Sequence, residues 1–246
     1  MKSAWRFMVV CMLALLADET FAYRPFDSTD AGVADEGEFE LEFGPLGYLR
    51  EGGDKFLVAP ATVLNLGIGH DREVVLESAL LNPIDHSASG SGSILDDTML
   101  TLKQVLRRGS LQDGSGVSVA AECGVLLPGT NGVNGTGGIC TGIVSQRWDA
   151  ATVHLNGGIE FTREHNWERS LGIIVEGSDK WKVRPVIELL TQRDNAGSDL
   201  SSELVGAIWR AHENLSFDFG LRSGRIDGEP LFEVRAGLTW AVQLWR

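Results

Sequence analysis

FEVRAGLTWAVQL, residues 232–244, is the stretch that decides the fold, because residues of opposite character alternate along its whole length. Successive side chains of a β-strand point to opposite faces, so this stretch forms a strand with one apolar and one more polar face. Strands of water-soluble proteins average about 5–6 residues, whereas a tilted strand that crosses a membrane needs about 9–11. The stretch is therefore typical of a transmembrane strand.

The same period of two recurs along the chain after Glu36 and predicts twelve strands. They are expected near 37–48, 55–69, 72–81, 95–107, 117–127, 138–147, 151–162, 167–177, 181–191, 202–211, 215–223 and 231–245. The predicted fold is all-β: a single transmembrane antiparallel up-and-down β-barrel of about 12 strands. A soluble β-sandwich or lipocalin-like barrel also alternates, but the long strands favour the membrane barrel.

The connections between the predicted strands alternate in length, as in outer-membrane barrels with short periplasmic turns and longer outer loops. Two connections break the rule: Arg108–Gly116 is long where a short turn is expected, and Arg163–Asn166 is short where a loop is expected. Tryptophans at 148, 181, 209 and 245 fall near the predicted periplasmic ends, where aromatic girdles lie.

The N-terminus has the pattern of a secretory signal. Lys2 and Arg6 precede a short apolar run, and small Ala22 closes the segment. We predict a signal peptide over 1–22, a periplasmic N-terminal segment over 23–36 and a β-barrel domain over 37–246. A buried N-terminal helix is the alternative for the first segment.

Composition sets broad limits. The chain has 246 residues, a net charge of −13 and 43% hydrophobic residues, which is enough apolar content to fold. The acidic balance argues against nucleic acid as a partner, because phosphate binding needs clustered Lys and Arg. The longest apolar run is shorter than the roughly 20 residues of a spanning helix.

The opening Tyr23-Arg24-Pro25-Phe26-Asp27-Ser28-Thr29-Asp30-Ala31-Gly32, followed by Gly37–Gly44, resembles the mature N-terminus of a Gram-negative outer-membrane family. That family is labelled meta-pathway of phenol degradation, and its members are often named simply transporter. The likeness continues through Leu64–Gly69 and Arg72–Glu77 and covers most of the mature chain in outline. It implies an outer-membrane barrel and the uptake of aromatic compounds.

The sequence predicts no catalytic residue, no metal site and no cofactor. It contains no nucleophile elbow, phosphate-binding loop or nucleotide fingerprint. The histidines are dispersed without the spacing of metal ligands; they are His70, His86, His154, His165 and His212.

Cys123 and Cys140 flank a loop centred near Asn131. If the strands on either side form a symmetric hairpin, the two residues lie opposite each other on one face and can form a disulfide in an oxidising compartment. Two free thiols facing lipid are the alternative.

The polar faces of the predicted strands carry more acids than bases. The residues expected to line the lumen are Glu38, Glu40, Glu42, Glu73, Glu77, Lys103, Glu122, His154, Glu160, Arg184, Glu188, Asp218, Arg222, Glu233 and Arg235. In an open lumen this excess would favour cations or neutral solutes over anions. The alternative is a lumen closed by salt bridges between these long side chains.

We therefore predict an outer-membrane barrel that acts as a passive pore or transporter for small solutes, aromatic or hydrophobic ones among them. Its expected partners are outer-membrane lipid, the outer-membrane assembly machinery and a small-molecule solute. One alternative is a closed structural or interaction barrel with partner-binding extracellular loops, such as Asn82–Ile94. An outer-membrane hydrolase is the third.

Overall fold

The computed structural model describes residues 24–84 and 92–245. The predicted signal peptide over 1–22 lies outside the described residues, as do Tyr23, Arg246 and residues 85–91 with His86. No helix in the described part of the chain is long and apolar enough to cross a membrane.

The structure is a closed antiparallel barrel in which every strand pairs with its sequence neighbours and the last strand pairs with the first. This confirms the predicted fold class and strand number. The strands are β1 Glu38–Glu51, β2 Asp54–Gly67, β3 Arg72–Pro83, β4 Ile94–Arg107, β5 Ser118–Leu126, β6 Gly137–Arg147, β7 Ala151–Phe161, β8 Trp167–Gly177, β9 Val183–Asp194, β10 Asp199–His212, β11 Leu215–Ile226 and β12 Glu229–Gln243.

Several strands extend beyond their predicted bounds at the end of the barrel where β1 ends and β12 begins. The prediction ends the ninth strand at 191 and begins the tenth at 202, where apolar residues give way to charged ones. The ladder nevertheless continues to Asp199, which pairs with Arg193. Backbone hydrogen bonds do not require an apolar side chain, so the strands continue past the amphipathic pattern.

The long connection after β4 has a structural role. It forms a short 3₁₀ helix, Ser110–Gln112, at the end of the barrel where β1 begins and β12 ends, which we call the terminal end. The Gln112 amide donates a 2.8 Å hydrogen bond to the carbonyl oxygen of Ala31, inside the barrel. This connection is long because it supports a segment held in the lumen.

The two faces of the wall differ as the alternation predicts. On β8 the outward residues Leu171, Ile173 and Val175 are exposed on the barrel's outer surface. Tryptophans 148, 181, 209 and 245 are about half exposed near the terminal end. The inward face is polar, and many of its side chains are buried.

Candidate functional site

The N-terminal segment lies inside the barrel. Residues 24–35, here called the plug, run through the lumen from the terminal end and contact side chains of eight strands, namely β1, β3, β4, β6, β7, β9, β11 and β12. In the sequence analysis this stretch belongs to the predicted periplasmic N-terminal segment over 23–36. The inward position has a physical reason: the plug has no secondary structure, and the polar wall satisfies its backbone.

Wall carboxylates accept hydrogen bonds from the plug backbone. Glu188 accepts from the amides of Asp27 and Ser28 at 3.0 and 2.7 Å. Glu73 accepts from the amide of Ala34 at 2.7 Å, and Glu42 from that of Arg24 at 3.0 Å. Buried backbone N–H groups need such acceptors. Part of the acidic excess of the inner wall therefore serves to bind the plug.

A four-residue ion cluster, here called the latch, holds the tip of the plug. The Asp27 carboxylate lies 3.1 Å from the Arg222 guanidinium and 2.6 Å from that of Arg235. Glu233 lies 3.4 Å from Arg222 and 2.7 Å from Arg235. Arg235 also donates a 2.8 Å hydrogen bond to the carbonyl oxygen of Pro25. Two guanidinium groups are thus neutralised by one wall carboxylate and one plug carboxylate.

The electrostatics of Asp27 follow from this geometry. Partial burial raises the pKa of its carboxyl, but Arg235 and Arg222 outweigh that effect and hold the pKa below its usual value of 3.8. Asp27 is therefore ionised at neutral pH.

A second cluster anchors the middle of the plug. Lys103, whose side chain is 1% exposed, lies 3.6 Å from Asp30 of the plug and 3.4 Å from Glu73 of the wall. It also donates to the Thr29 hydroxyl at 3.2 Å. A buried ammonium group needs compensating charge, and these two carboxylates contribute to it.

Two apolar contacts complete the docking. Phe26 packs against buried Val186, Leu204 and Ile208 of the wall. Ala31 is fully buried in a second small cluster.

Glycines in the wall make room for the plug. A Cβ atom at Gly172 would lie 2.0 Å from the Ser28 hydroxyl oxygen, and one at Gly220 would lie 2.9 Å from the Pro25 ring. Both distances are below van der Waals contact. These positions therefore require glycine while the plug is in place.

A buried polar chain lies beneath the plug. Ser145 and His154 face each other across β6 and β7, with 2.8 Å between Oγ and Nδ1. His154 Nε2 lies 3.1 Å from Glu176, which lies 3.5 Å from Arg184. The first three residues have the order of a catalytic triad, but Ser145 is fully buried and its hydroxyl accepts a hydrogen bond from the Ala31 amide. The plug covers Ser145, which would be the nucleophile of such a triad. This row of polar side chains therefore supports the plug.

Beyond the plug, toward the opposite end, the lumen contains a cavity of about 550 Å³. Plug residues 24–29 line it together with the walls. Toward the opposite end the lining carries acidic residues, among them Glu51, Asp96 and Asp97, together with Arg163. The Arg163 guanidinium is held by the carbonyl oxygens of Leu127 and Thr98, both at 2.8 Å.

The residues predicted to line the lumen divide into two groups. Those at the cavity are Glu42, Glu73, Glu77, Lys103, Glu122, Glu160, Arg222, Glu233 and Arg235. Those buried or half-buried outside the cavity lining, around or beneath the plug, are Glu38, Glu40, His154, Arg184, Glu188 and Asp218. The terminal half of the lumen is filled, whereas the other half contains the cavity.

Sequence reasoning missed the plug residues Arg24, Asp27 and Asp30, and the cavity residues Asp97 and Arg163. The plug residues lie before the first strand, where no alternation applies. The sequence contains one sign of these plug residues. The three charged side chains lie close together in a segment without a strand or helix pattern.

The sulfurs of Cys123 and Cys140 are bonded to each other, and the two residues lie directly opposite on β5 and β6. Both are exposed on the outer face of the wall. Among the described residues no group of three or more His, Cys, Asp or Glu side chains is arranged to bind a metal ion.

Solved structures with a similar fold are outer-membrane channels. The COG4313 outer membrane channel from Pseudomonas putida F1 superposes with a TM-score of 0.62 at 11% identity, over 88% of this chain and 99% of that chain. The KdgM porin superposes with a TM-score of 0.53 at 10% identity, over 82% of this chain and 98% of that one. At these identities the likeness is one of fold. No protein-family profile matches the chain, and no curated protein matches it.

Proposed function

We propose that the chain is an outer-membrane barrel that conducts small solutes passively and that the plug closes its lumen. The observation that carries the proposal is the cavity of about 550 Å³, which lies inside a closed barrel and has the plug as part of its lining. This volume is within the roughly 300–1,000 Å³ of small-molecule sites. The barrels of similar fold are named as a channel and a porin, which supports the same function.

The outer wall supports placement in the outer membrane. Its outward face is apolar and its tryptophans cluster near one end, as expected of a barrel in lipid. The terminal end is then periplasmic. Outer-membrane lipid surrounds the barrel, and the outer-membrane assembly machinery inserts it.

The charges at the cavity favour cationic or neutral solutes. Glu77, Asp96, Asp97 and Glu160 line it, and Arg163 is a base at the same end. Carboxylates in a confined lumen raise the local concentration of cations. The family resemblance of the opening residues adds aromatic compounds as a class to test.

The plug makes conduction conditional. The cavity lies toward the outer end, whereas the terminal half of the lumen is filled by the plug and by buried polar side chains. Passage to the periplasm therefore requires the plug to leave its position. Each anchor contributes to the free energy that keeps the barrel closed.

A closed structural or interaction barrel is the second candidate, and the filled terminal half favours it. An enzymatic role has less support, because Ser145 is fully buried beneath the plug.

Planar-bilayer recording on the full mature chain tests the proposal, with heat-modifiable gel mobility as the check on barrel folding. We expect rare openings in the wild type, frequent openings in variants with a weakened latch, and a reversal potential that shows cation preference. A folded barrel whose latch variants never conduct would instead support the closed barrel. Anion preference would contradict the proposed solute class.

A further inference from the structure

Two arginines lie directly opposite each other on the outer surface of the barrel. Arg169 of β8 pairs in register with Arg193 of β9, and both residues are exposed. Their strand neighbours Ser170 and Gln192 line the cavity, so by alternation both arginine side chains point outward. Both lie near the end of the barrel opposite the terminal end.

Neither arginine has a hydrogen-bond or ion-pair partner among residues 24–84 and 92–245. Asp199 is in register with Arg193 from the other side, but no ion pair joins them. Like charges directly opposite on one sheet face repel each other, which destabilises the pair unless an anion lies between them. The pair thus has unused donors and uncompensated positive charge.

The position of the pair coincides with the edge of the apolar wall. Next to the arginines on the same outward face lie Leu171 and Leu189, which are 64% and 52% exposed. From Arg169 to Gly177, at the other end of β8, a tilted strand rises roughly 20 Å. The guanidinium groups therefore lie at the level where lipid tails give way to headgroups, and their apolar stems cover the wall below.

The surroundings of the pair are basic, in contrast to the whole chain. The charged side chains that point outward at this end of the strands include five bases, which we call the basic rim, and two acids. The bases are Arg50, Lys55, Arg169, Arg193 and Arg225, and the acids are Asp199 and Glu203. The chain as a whole carries a net charge of −13. The outward surface of this rim is thus basic and attracts anions, while the neighbouring acids Glu168 and Asp194 lie on the inward phase of the same strands.

We propose that Arg169 and Arg193 bind a phosphate group of an anionic glycolipid in the outer leaflet. A guanidinium group donates two parallel hydrogen bonds to phosphate oxygens, so two facing guanidinium groups hold one phosphate from both sides. The apolar wall below them contacts the acyl chains of the same molecule. The proposal rests on the outer-membrane placement proposed above.

Native mass spectrometry of the full mature chain in detergent tests this site, with phosphorylated lipid A as the probe. We expect one retained lipid A on the wild type, and about tenfold weaker retention on the double variant Arg169→Gln/Arg193→Gln. Lipid A with its phosphates removed should bind both proteins equally weakly.

The matched control is Arg108→Gln/Lys180→Gln, which removes the same charge from exposed positions at the terminal end. We expect it to retain lipid A like the wild type. Equal retention by the wild type and the Arg169/Arg193 variant would overturn the proposal, as would an equal loss in the control. Displacement by inorganic phosphate at the concentration of the lipid would assign the pair to a soluble anion and also overturn it. Bilayer conductance of the same proteins tests the pore separately, because the pair lies outside the lumen.

Discussion

The substitution Asp27→Asn tests the latch. It keeps the size of the side chain and removes one of the two carboxylates that neutralise Arg222 and Arg235. The guanidinium groups, whose side chains are 11% and 13% exposed, then share Glu233 alone. We expect the plug to leave its position more often and the barrel to open more often.

The magnitude follows from the geometry. A hydrogen bond to a charged group contributes about 1.5–3 kcal/mol, and removing one partner of a buried pair leaves the other uncompensated. The Asp27 side chain is 23% exposed toward the cavity, which screens the interaction. We therefore take about 2 kcal/mol, which raises the ratio of undocked to docked plug roughly 30-fold.

Single-channel recording at neutral pH measures this ratio as the open fraction. The control is Asp149→Asn, which breaks the 2.9 Å pair with Lys180 on the surface, where both side chains are exposed. Such a pair contributes little, so the open fraction should not change. An Asp27→Asn barrel that folds and stays as closed as the wild type would refute the reasoning.

Three further predictions concern the plug and the wall. The substitution Gly172→Val should displace the plug and raise conductance, because even a Cβ atom there would lie 2.0 Å from the Ser28 hydroxyl oxygen. The open fraction should rise in acid, because the pKa of Asp27 is below 3.8. Its ion pairs with Arg222 and Arg235 persist from neutral pH down to about that value, and they are lost as the pH falls through the lowered pKa. Bilayer recording should then show a rise in openings as the pH falls through this lowered value. Alkylation in urea should add no mass at Cys123 and Cys140 without reductant and two groups after reduction, as measured by intact-mass spectrometry.

Each of these has its own control. Gly142→Val is the control for Gly172→Val, since the nearest atom to a Cβ at Gly142 lies 3.9 Å away. An equal gain in conductance in both variants would contradict steric displacement of the plug. The acid response should be reduced in Asp27→Asn, and an unchanged response would assign it to other carboxyls. Two alkyl groups added without reductant would contradict the disulfide.

The sequence predicts the wall well and the plug poorly, for a physical reason. Alternation such as that of Phe39 and Glu40 reports which face of a strand meets lipid, so strand number and facing can be inferred from it. Residues 24–35 have no regular backbone, and their partners are far away in sequence. Asp27, for example, contacts Arg235 across 208 positions. No local pattern encodes such a contact.

The candidate site shows the same limit. The sequence pattern assigns the wall acids to the lumen, but it does not show what each of them binds. A carboxylate that binds a backbone amide of the plug has the same periodicity as one that faces a solute. Glu188 is such a case: it accepts from two plug amides. The charge excess is thus visible in the sequence, and its division between plug and cavity is visible only in the structure.

The anchors of the plug also depend on the closure of the barrel. Glu42 belongs to β1 and Arg235 to β12, the two strands whose pairing closes the barrel. The complete docking surface forms only when β1 and β12 have paired in the correct register. A slip of one residue would turn Arg235 toward the lipid and leave the plug without its main partner. A plug held against both strands therefore indicates that β1 and β12 have paired in the correct register.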